Sequence, residues 1–318
     1  MLRLPWVLII GIALTACAPL PAGQVPVTGA TPSPTLTLTR AATSTATPTA
    51  SPTSTATPAP SDTPEPSPTL IPSATPWPPP TPDAGAAARR VRVPILMYHY
   101  VEPWPAEANE LRRGLTVRPE DFAAQMAYLA ENNYVAVSLY DLAEAVALGR
   151  PLPERAVVLT FDDGYRSLME HARPLAQARG FTGTVFVITE LMDRGFEQYL
   201  TWEQAQTLFA QGWRIEPHTK THIQLAGQSY AKQLYEMLGS LETITANLGA
   251  RPRFFCYPAG KYDAVTVQLA EELQLWGAVT TRPGRVHTVA DRFTWTRVRV
   301  DGRGSLQDFV TALEGDLK

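Results

Sequence analysis

The chain has 318 residues, of which 45% are hydrophobic, and a net charge of −3 at pH 7. So small a charge gives no indication of a nucleic acid or of an anionic membrane surface as a partner. The sequence contains two cysteines, Cys17 and Cys256, which excludes a framework of several disulfides.

Residues 1–17 have the pattern of a bacterial export signal. Arg3 is followed by an apolar stretch over residues 4–14, which is too short to span a bilayer. The sequence Leu14-Thr-Ala-Cys17 resembles the lipobox of bacterial lipoproteins, in which cleavage leaves the cysteine as a lipid-modified N-terminus. We therefore expect an extracytoplasmic, membrane-anchored bacterial lipoprotein, lipidated at Cys17 and exposed at the cell surface or in the periplasm. An ordinary cleaved signal with a chance cysteine is the alternative.

Residues 18–90 form a Pro/Thr/Ser-rich segment that contains more than half of the 30 prolines of the chain. Such a segment cannot bury enough apolar surface to offset the entropy of ordering, so we predict a disordered linker. A flexible chain of this length spans about 45 Å, enough to hold a tethered domain away from a membrane. A mucin-like binding stalk is the competing interpretation.

Residues 91–318 are long enough for one domain with a large core. Apolar, β-branched runs predict strands that alternate with helical segments, and this order predicts a mostly parallel sheet, closed into an α/β barrel or a distorted form of one. The predicted strands cover residues 93–98, 135–139, 157–161, 183–189 and 213–215. The predicted helices begin at Pro119, at Thr201 with a capping box to Gln204, near Ser229 with an end at Gly249, and near Asp263 with an end at Gly277.

Two motifs carry the predicted chemistry. Asp162 and Asp163 follow the predicted strand 157–161 directly, and His218 and His222 lie four residues apart after another strand. Two imidazoles and one carboxylate can hold a divalent metal with an open position for water, and the second carboxylate stays available as a general base. The alternative is that the aspartates form a polar turn and that two surface histidines lie near each other by chance.

The order and surroundings of these motifs resemble the polysaccharide deacetylases with a NodB-homology domain, carbohydrate esterase family 4. The similarity extends from residue 91 to about residue 300 and is closest to the lipoprotein-type members. It is carried by Pro94-Ile-Leu-Met-Tyr-His-Tyr-Val101, Leu159-Thr-Phe-Asp-Asp-Gly164, Leu200-Thr-Trp202, Pro217-His-Thr-Lys-Thr-His222 and Tyr257-Pro-Ala-Gly260. The resemblance implies the distorted (β/α) barrel of that family.

The resemblance also implies residue roles. Asp162 corresponds to the general base, and the metal ligands are Asp163, His218 and His222. The implied metal is zinc, with cobalt as the other candidate. The backbone N–H of Ala259 would act in the oxyanion site, and acetate and a free amine would be the products. We expect substrate contacts from Tyr257, Pro258, Gly260 and Trp202.

Several positions depart from the family pattern. Cys256 stands where an arginine usually pairs with the base, and either Arg253 or Arg297 is a candidate replacement. Ala259 replaces an aromatic residue, and Glu216 is interpreted as a solvated loop acid rather than as a partner of a ligand histidine. For the general acid we consider two candidates, His287 and protonated Asp162 itself. Of the remaining histidines, His99 is expected to border the pocket and His171 to be structural.

The predicted activity is metal-dependent removal of N-acetyl groups from an N-acetylglucosamine polymer, which would be peptidoglycan, an exopolysaccharide or a chitin-like chain. A catalytically impaired glycan-binding lipoprotein and an amidase acting on a small non-sugar substrate are the alternatives. The sequence leaves the oligomeric state open. Some aromatic side chains are available to stack on sugar rings or to fill the core, namely Trp202, Trp213, Tyr257, Tyr262 and Trp295.

Overall fold

The computed structural model describes residues 78–315. The predicted signal peptide, its lipidation site Cys17 and most of the predicted linker lie outside the described residues. Among residues 78–315, no helix combines the length and the apolar character needed to cross a membrane.

The described part of the chain alternates short strands with helices, as the sequence predicts. The strands are Val91–Arg92 (β1), Ile95–Tyr98 (β2), Tyr100–Val101 (β3), Thr116–Val117 (β4), Val135–Ala136 (β5), Ala156–Phe161 (β6), Thr184–Val187 (β7), Arg214–Pro217 (β8), Phe254–Cys256 (β9), Gly277–Pro283 (β10), Val286–His287 (β11) and Trp295–Arg299 (β12). The α-helices are Glu110–Leu115 (α1), Pro119–Glu131 (α2), Leu139–Leu148 (α3), Arg173–Gln177 (α4), Thr189–Asp193 (α5), Trp202–Ala210 (α6), Tyr230–Leu248 (α7), Ala264–Glu272 (α8) and Leu306–Glu314 (α9).

Seven of these strands form one parallel sheet in the order β8, β7, β6, β2, β12, β10, β9. β5 adds to β6, also in parallel. The sheet curls into a nearly closed barrel, so its two end strands, β8 and β9, lie side by side. The predicted α/β barrel is therefore confirmed, and the carboxyl ends of its strands meet at one rim.

Alternating side chains on each strand face opposite sides of the sheet, and both sides are buried. On β6, Val157, Leu159 and Phe161 pack against the helices, whereas Val158 packs with the residues that fill the barrel. Thr160 and Asp162 lie two and four residues after Val158, so their side chains face the same side of the sheet as Val158. The strand therefore directs Asp162 toward the barrel interior at the rim.

The seam between β8 and β9 is closed by the side chain of Glu216. Its Oε2 accepts hydrogen bonds from the backbone N–H groups of Arg253 (2.9 Å) and Phe254 (2.8 Å), and its Oε1 accepts from the Tyr140 hydroxyl (2.8 Å). Burial raises the pKa of the Glu216 carboxyl to about 7, although these hydrogen bonds oppose the shift. The interpretation of Glu216 as a solvated loop acid is wrong, because the residue is 1% exposed.

Two predicted element boundaries are also wrong. The strand predicted over residues 135–139 stops at Ala136, because Ser138 caps α3 and Leu139 already belongs to that helix. The helix predicted to end at Gly277 ends at Glu272, and Gly277 instead begins β10. A Cβ at Gly277 would lie 2.8 Å from the carbonyl oxygen of Arg292, which explains why a glycine occupies this position.

The end of the predicted linker folds onto the domain. Ala86–Ala88 forms a short 3-10 helix in which Ala86 is buried. The backbone N–H of Asp83 donates to the carbonyl of Ala147, and the Asp83 carboxylate pairs with Arg89 at 2.9 Å. Contacts with the domain therefore begin at Asp83, within the segment predicted as the linker.

We predict that Glu216→Ala lowers the free energy of unfolding by about 2–4 kcal/mol, because each buried N–H that loses its acceptor costs about 1–3 kcal/mol. Glu216→Gln should cost less, since its amide oxygen can still accept. Denaturant unfolding of both variants, with the exposed Glu131→Ala as a control, checks this. A Glu216→Ala value within 0.5 kcal/mol of the wild type, roughly the size of a neutral surface substitution, would contradict the role given to the seam.

Candidate active site

A sharp turn after β6 separates the two neighbouring aspartates. Asp163 and Gly164 both adopt left-handed backbone conformations, with φ of 71° and 74°. A Cβ on Gly164 would lie 3.0 Å from Val187 Cγ1, in a conformation that already favours glycine. Because of this turn, the carboxylates of Asp162 and Asp163 meet different partners.

Asp162 forms a bidentate ion pair with Arg297 of β12. Arg297 Nη1 lies 2.7 Å from Oδ1 and Nη2 lies 2.7 Å from Oδ2, and the arginine side chain is fully buried. Burial alone would raise the pKa of the Asp162 carboxyl, but the charge of Arg297 outweighs it and lowers the pKa. Asp162 is therefore held ionised inside the barrel, as a general base requires.

Arg297 occupies the space beside the small side chain of Cys256. Its Nη2 lies 3.3 Å from Cys256 Sγ, its Nε donates to the carbonyl of Thr280 (2.8 Å), and its Nη1 also donates to Thr160 Oγ1 (3.1 Å). Of the two candidate replacements for the missing arginine, the structure places Arg297 at Asp162. Arg253 instead contributes its backbone N–H to Glu216.

Asp163, His218 and His222 bring three potential metal ligands together. Asp163 Oδ1 lies 3.4 Å from His218 Nε2 and 3.2 Å from His222 Nε2. This oxygen is buried and accepts no hydrogen bond within residues 78–315. A buried carboxylate oxygen without a donor is expected where a cation binds. The residues present therefore fit a divalent metal. His222 is 42% exposed on its side chain, so one side of the triad remains open to a water or a substrate.

The backbone of β9 orients the first of these histidines. His218 Nδ1 lies 2.7 Å from the carbonyl oxygen of Cys256, and that contact directs Nε2 toward Asp163. A hydrogen bond from the far ring nitrogen to a carbonyl is the usual way in which proteins fix a ligating imidazole.

A second set of possible ligand atoms, from Asp162, His218 and Cys256, also lies within 4.8 Å of one another. Arg297 contacts both Asp162 and Cys256 and would repel a cation there. Burial also raises the pKa of the Cys256 thiol, which disfavours the thiolate needed for ligation. Electrostatics therefore favour the Asp163 triad as the metal site.

The histidine beside the candidate base is His99, which follows β2. Its Nε2 lies 3.9 Å from Asp162 Oδ2, and its side chain is 16% exposed. Burial lowers the pKa of His99 from its ordinary value, and the charge of Asp162 offsets only part of this shift. The expectation that His99 borders the pocket is met by this contact with Asp162.

His287 is not placed for acid catalysis, so that prediction is wrong. It lies on β11, which pairs with β1 at the amino end of the barrel strands, and its Nε2 lies 2.9 Å from the carbonyl oxygen of Val93. Val93 precedes β2, whereas Asp162 follows β6, the parallel neighbour of β2. His287, which contacts Val93, and Asp162 therefore lie at opposite ends of the barrel.

Most aromatic residues proposed to contact a substrate are buried. Tyr257 and Trp213 are 0% exposed and Trp295 is 1% exposed, and Pro258 is buried as well, so the substrate roles given to Tyr257 and Pro258 are not supported. Trp202 is half-buried and donates its indole N–H to Asp193.

Ala259 is exposed in the short turn after β9, with a φ of 54°. This turn follows Cys256 at the same rim of the barrel as His218, which is where an oxyanion donor would be needed. A Cβ on Gly260 would lie 2.2 Å from Thr281 Oγ1, so this glycine permits close packing rather than substrate contact.

A stack of tyrosines that the sequence did not predict flanks the candidate metal triad of Asp163, His218 and His222. Tyr165 stacks on Tyr100 at 3.6 Å and on Tyr199 at 5.2 Å, and the guanidinium of Arg112 lies 3.0 Å from the centre of the Tyr100 ring. Burial and the charge of Asp163 raise the pKa of the Tyr165 phenol. In the sequence, the position of Tyr165 directly after Asp162-Asp163-Gly164 was the feature that could have indicated a place near the site.

Comparisons of sequence and of structure with known proteins point to one family. Residues 149–277 match the sequence profile described as polysaccharide deacetylase. YxkH of Bacillus subtilis, a protein assigned to the polysaccharide deacetylases, is 30% identical over 209 residues, which are 66% of this chain and 71% of that protein. The poly-β-1,6-N-acetyl-D-glucosamine N-deacetylase of Escherichia coli is 35% identical over 126 residues, 18% of its own length.

Among solved structures, the Streptococcus pyogenes deacetylase PplD in complex with acetate superimposes with a TM-score of 0.66 and 27% identity. The match covers 71% of this chain and all of that chain. The profile match includes the triad and Asp162, but His99 and Arg297 lie outside its limits.

We predict that replacing both His218 and His222 with alanine abolishes stoichiometric binding of zinc, because two of three ligands are removed. Equilibrium dialysis of the metal-free protein against Zn²⁺, followed by elemental analysis, measures this. His171→Ala, on the helical segment after the aspartates, is the control. Unchanged zinc content in the double variant would mean that the metal site lies elsewhere.

Proposed function

The chain belongs to the polysaccharide deacetylase family, and we propose that it hydrolyses N-acetyl groups of an N-acetylglucosamine-containing polysaccharide in a metal-dependent reaction. The observation that carries this proposal is the buried Asp162, held ionised by Arg297 beside an open triad of ligand atoms. A binding protein would have no need for an ionised base at this position.

Asp163, His218 and His222 hold the metal in this proposal, and zinc suits two imidazoles and one carboxylate, with cobalt as an alternative. When bound, such a metal polarises the acetyl carbonyl and lowers the pKa of the attacking water. The protein contributes the fixed positions of the three ligands, with His218 oriented through Cys256.

Proton transfer is assigned to Asp162 and His99. Asp162 takes a proton from the attacking water, whose oxygen bonds to the acetyl carbon. Cleavage of the C–N bond then requires a proton on the departing amine, which the protonated form of His99 donates from its position 3.9 Å from Asp162. Afterwards Asp162 releases the proton that it took from the water, and His99 regains a proton from solvent. The backbone N–H of Ala259 is the candidate donor to the oxygen that becomes negative. Acetate and a free amine leave.

The substrate class is inferred from the site and from the relatives. The poly-β-1,6-N-acetyl-D-glucosamine N-deacetylase and the acetate-bound deacetylase support an acetylated glycan. The open side of the triad and the half-buried edges of Tyr100, Tyr165 and Tyr199 offer a rim that a sugar chain can approach from solvent. Peptidoglycan, an exopolysaccharide and a chitin-like polymer are the candidate polymers.

The activity is expected from the purified chain supplied with Zn²⁺, as acetate and free amine released from N-acetylglucosamine oligomers or peptidoglycan. We predict that Asp162→Asn lowers kcat/KM by about 10²- to 10⁴-fold, the usual contribution of a general base, while the zinc content stays near that of the wild type. Loss of zinc instead would mean that the roles of Asp162 and Asp163 are exchanged. No release by the zinc-loaded wild type on either glycan would favour a glycan-binding protein or an amidase acting on non-sugar substrates.

The pH dependence of kcat/KM tests the Arg297–Asp162 pair. Because Arg297 lowers the pKa of Asp162, Arg297→Gln should raise that pKa and keep the base protonated up to a higher pH. The acidic limb of the profile should therefore move to higher pH, with a smaller shift in Arg297→Lys, which keeps the charge. An acidic limb that stays in place in both variants would exclude Asp162 as the base.

His99→Gln tests the basic limb of the same pH profile of kcat/KM. It should remove the basic limb, because the proposed proton donor is gone, and move the acidic limb to higher pH by less than Arg297→Gln does, since His99 contributes less than Arg297 to the lowered pKa of Asp162. A profile that keeps both limbs would assign the donated proton to another group, with Asp162 as the remaining candidate.

We also propose that the domain is held outside the cytoplasm by a lipid on Cys17, as the lipobox-like sequence indicates. Cys17→Ser is then expected to move the protein from the membrane fraction to the soluble fraction, which fractionation and immunoblotting of the natural or a related bacterial host would show. Unchanged membrane association would favour an anchor other than the lipid.

A further inference from the structure

The loop that carries His222 contains two residues in the left-handed backbone conformation, which non-glycine residues rarely adopt. Thr219 and His222 have φ values of 66° and 64°, in the left-handed region, and Thr219 is β-branched. The Thr219 hydroxyl accepts a hydrogen bond from the backbone N–H of His222 at 2.8 Å. A loop in this conformation needs support from its surroundings to persist.

The carbonyl groups of this loop bond to the first turn of α5. The N–H of Thr189 donates to the carbonyl of Thr219 at 3.3 Å, and the N–H of Glu190 donates to the carbonyl of Lys220 at 2.9 Å. One side of the loop backbone is thereby attached to the helix that follows β7.

The N–H groups of the loop bond to a single buried carboxylate on α7, that of Glu236. Its Oε2 accepts from the backbone N–H groups of Lys220 and Thr221, both at 3.0 Å, and its Oε1 accepts from the Thr221 hydroxyl at 2.8 Å. Lys232, one turn earlier on α7, balances the charge at 2.9 Å from Oε1. Glu236 is 0% exposed, so its bonds to the loop are shielded from water.

His218 does not depend on this carboxylate. It directly follows β8, and its ring is fixed by the carbonyl of Cys256. Asp163 is likewise fixed by the turn after β6. Of the three ligands, His222 is thus the one whose position depends on the loop that Glu236 holds.

We propose that Glu236 is a positioning residue for the metal site, which sets the affinity for the metal by fixing the loop that presents His222. This inference rests on the metal triad of the proposed function. The hydrogen bonds and the ion pair of the Glu236 carboxylate within residues 78–315 join it to Lys220, Thr221 and Lys232. It therefore acts on His222 through the backbone of residues 220 and 221, which directly precede that histidine.

The experiment measures the zinc affinity of the full-length chain by competition with a chromophoric chelator, so it needs no substrate. Glu236→Ala should weaken zinc binding about 10-fold or more, the range found when supports of metal ligands are removed. Glu242→Ala, which removes an exposed acid from the same helix, should leave the affinity unchanged. Glu236→Gln keeps one oxygen for the two N–H groups, so we expect an intermediate loss, and this variant tests the proposal even if Glu236→Ala does not fold.

A double-mutant cycle with His222→Ala separates positioning from a general loss of stability. If Glu236 acts through His222, adding Glu236→Ala or Glu236→Gln to His222→Ala should cause no further loss of affinity. The same fold-loss with and without His222 would overturn the proposal, and so would wild-type affinity in both Glu236 variants when His222→Ala alone weakens binding. Unchanged zinc affinity in His222→Ala would refute the proposed metal site itself, and the role of Glu236 with it.

Discussion

The barrel is closed between β8 and β9 by side chains instead of a backbone ladder. An unpaired strand edge leaves N–H and C=O groups without partners, which is costly when the edge is buried. Glu216 supplies an acceptor to two N–H groups near β9, and His218 bonds to the carbonyl of Cys256. Since His218 is also a candidate metal ligand, the contact that completes the barrel is part of the same arrangement that orients the site.

The barrel interior is polar near the rim because every second residue of β6 and β8 faces inward there. Thr160, Asp162, Glu216 and His218 all extend the inward-facing rows of β6 and β8 toward the rim. Buried charge is tolerated there because each charged group has a partner: the five N–H groups of Arg297 are shared among Asp162, Thr160, Thr280 and Cys256. The result is a buried candidate base beside a candidate metal triad in which only His222 is exposed.

The sequence predicted what is local and missed what depends on distant parts of the chain. Apolar runs and capping residues located β6, β7 and α7. The two motifs of the sequence also contain the candidate ligands Asp163, His218 and His222, whose ligand atoms the fold brings together. The burial of Glu216 was not predictable, because its partners belong to β9 and α3. His287 failed for a similar reason, since pairing with β1 places it at the opposite rim. For Glu236, nothing in the local pattern of α7 separates it from the exposed acids of the helix.

The distance in sequence between Asp162 and its partner arginine affects how the protein becomes competent during synthesis. The two residues are 135 positions apart, and Arg297 belongs to the last strand of the barrel. A growing chain that has been synthesised as far as Cys256 already contains the candidate base and all three candidate metal ligands. It still lacks Arg297, so Asp162 has no guanidinium to pair with. A fragment cut at the limits of the family match, 149–277, would lack Arg297 in the same way. Ribosomes release the N-terminal part first, so the nascent chain should remain catalytically silent until β12 has been added.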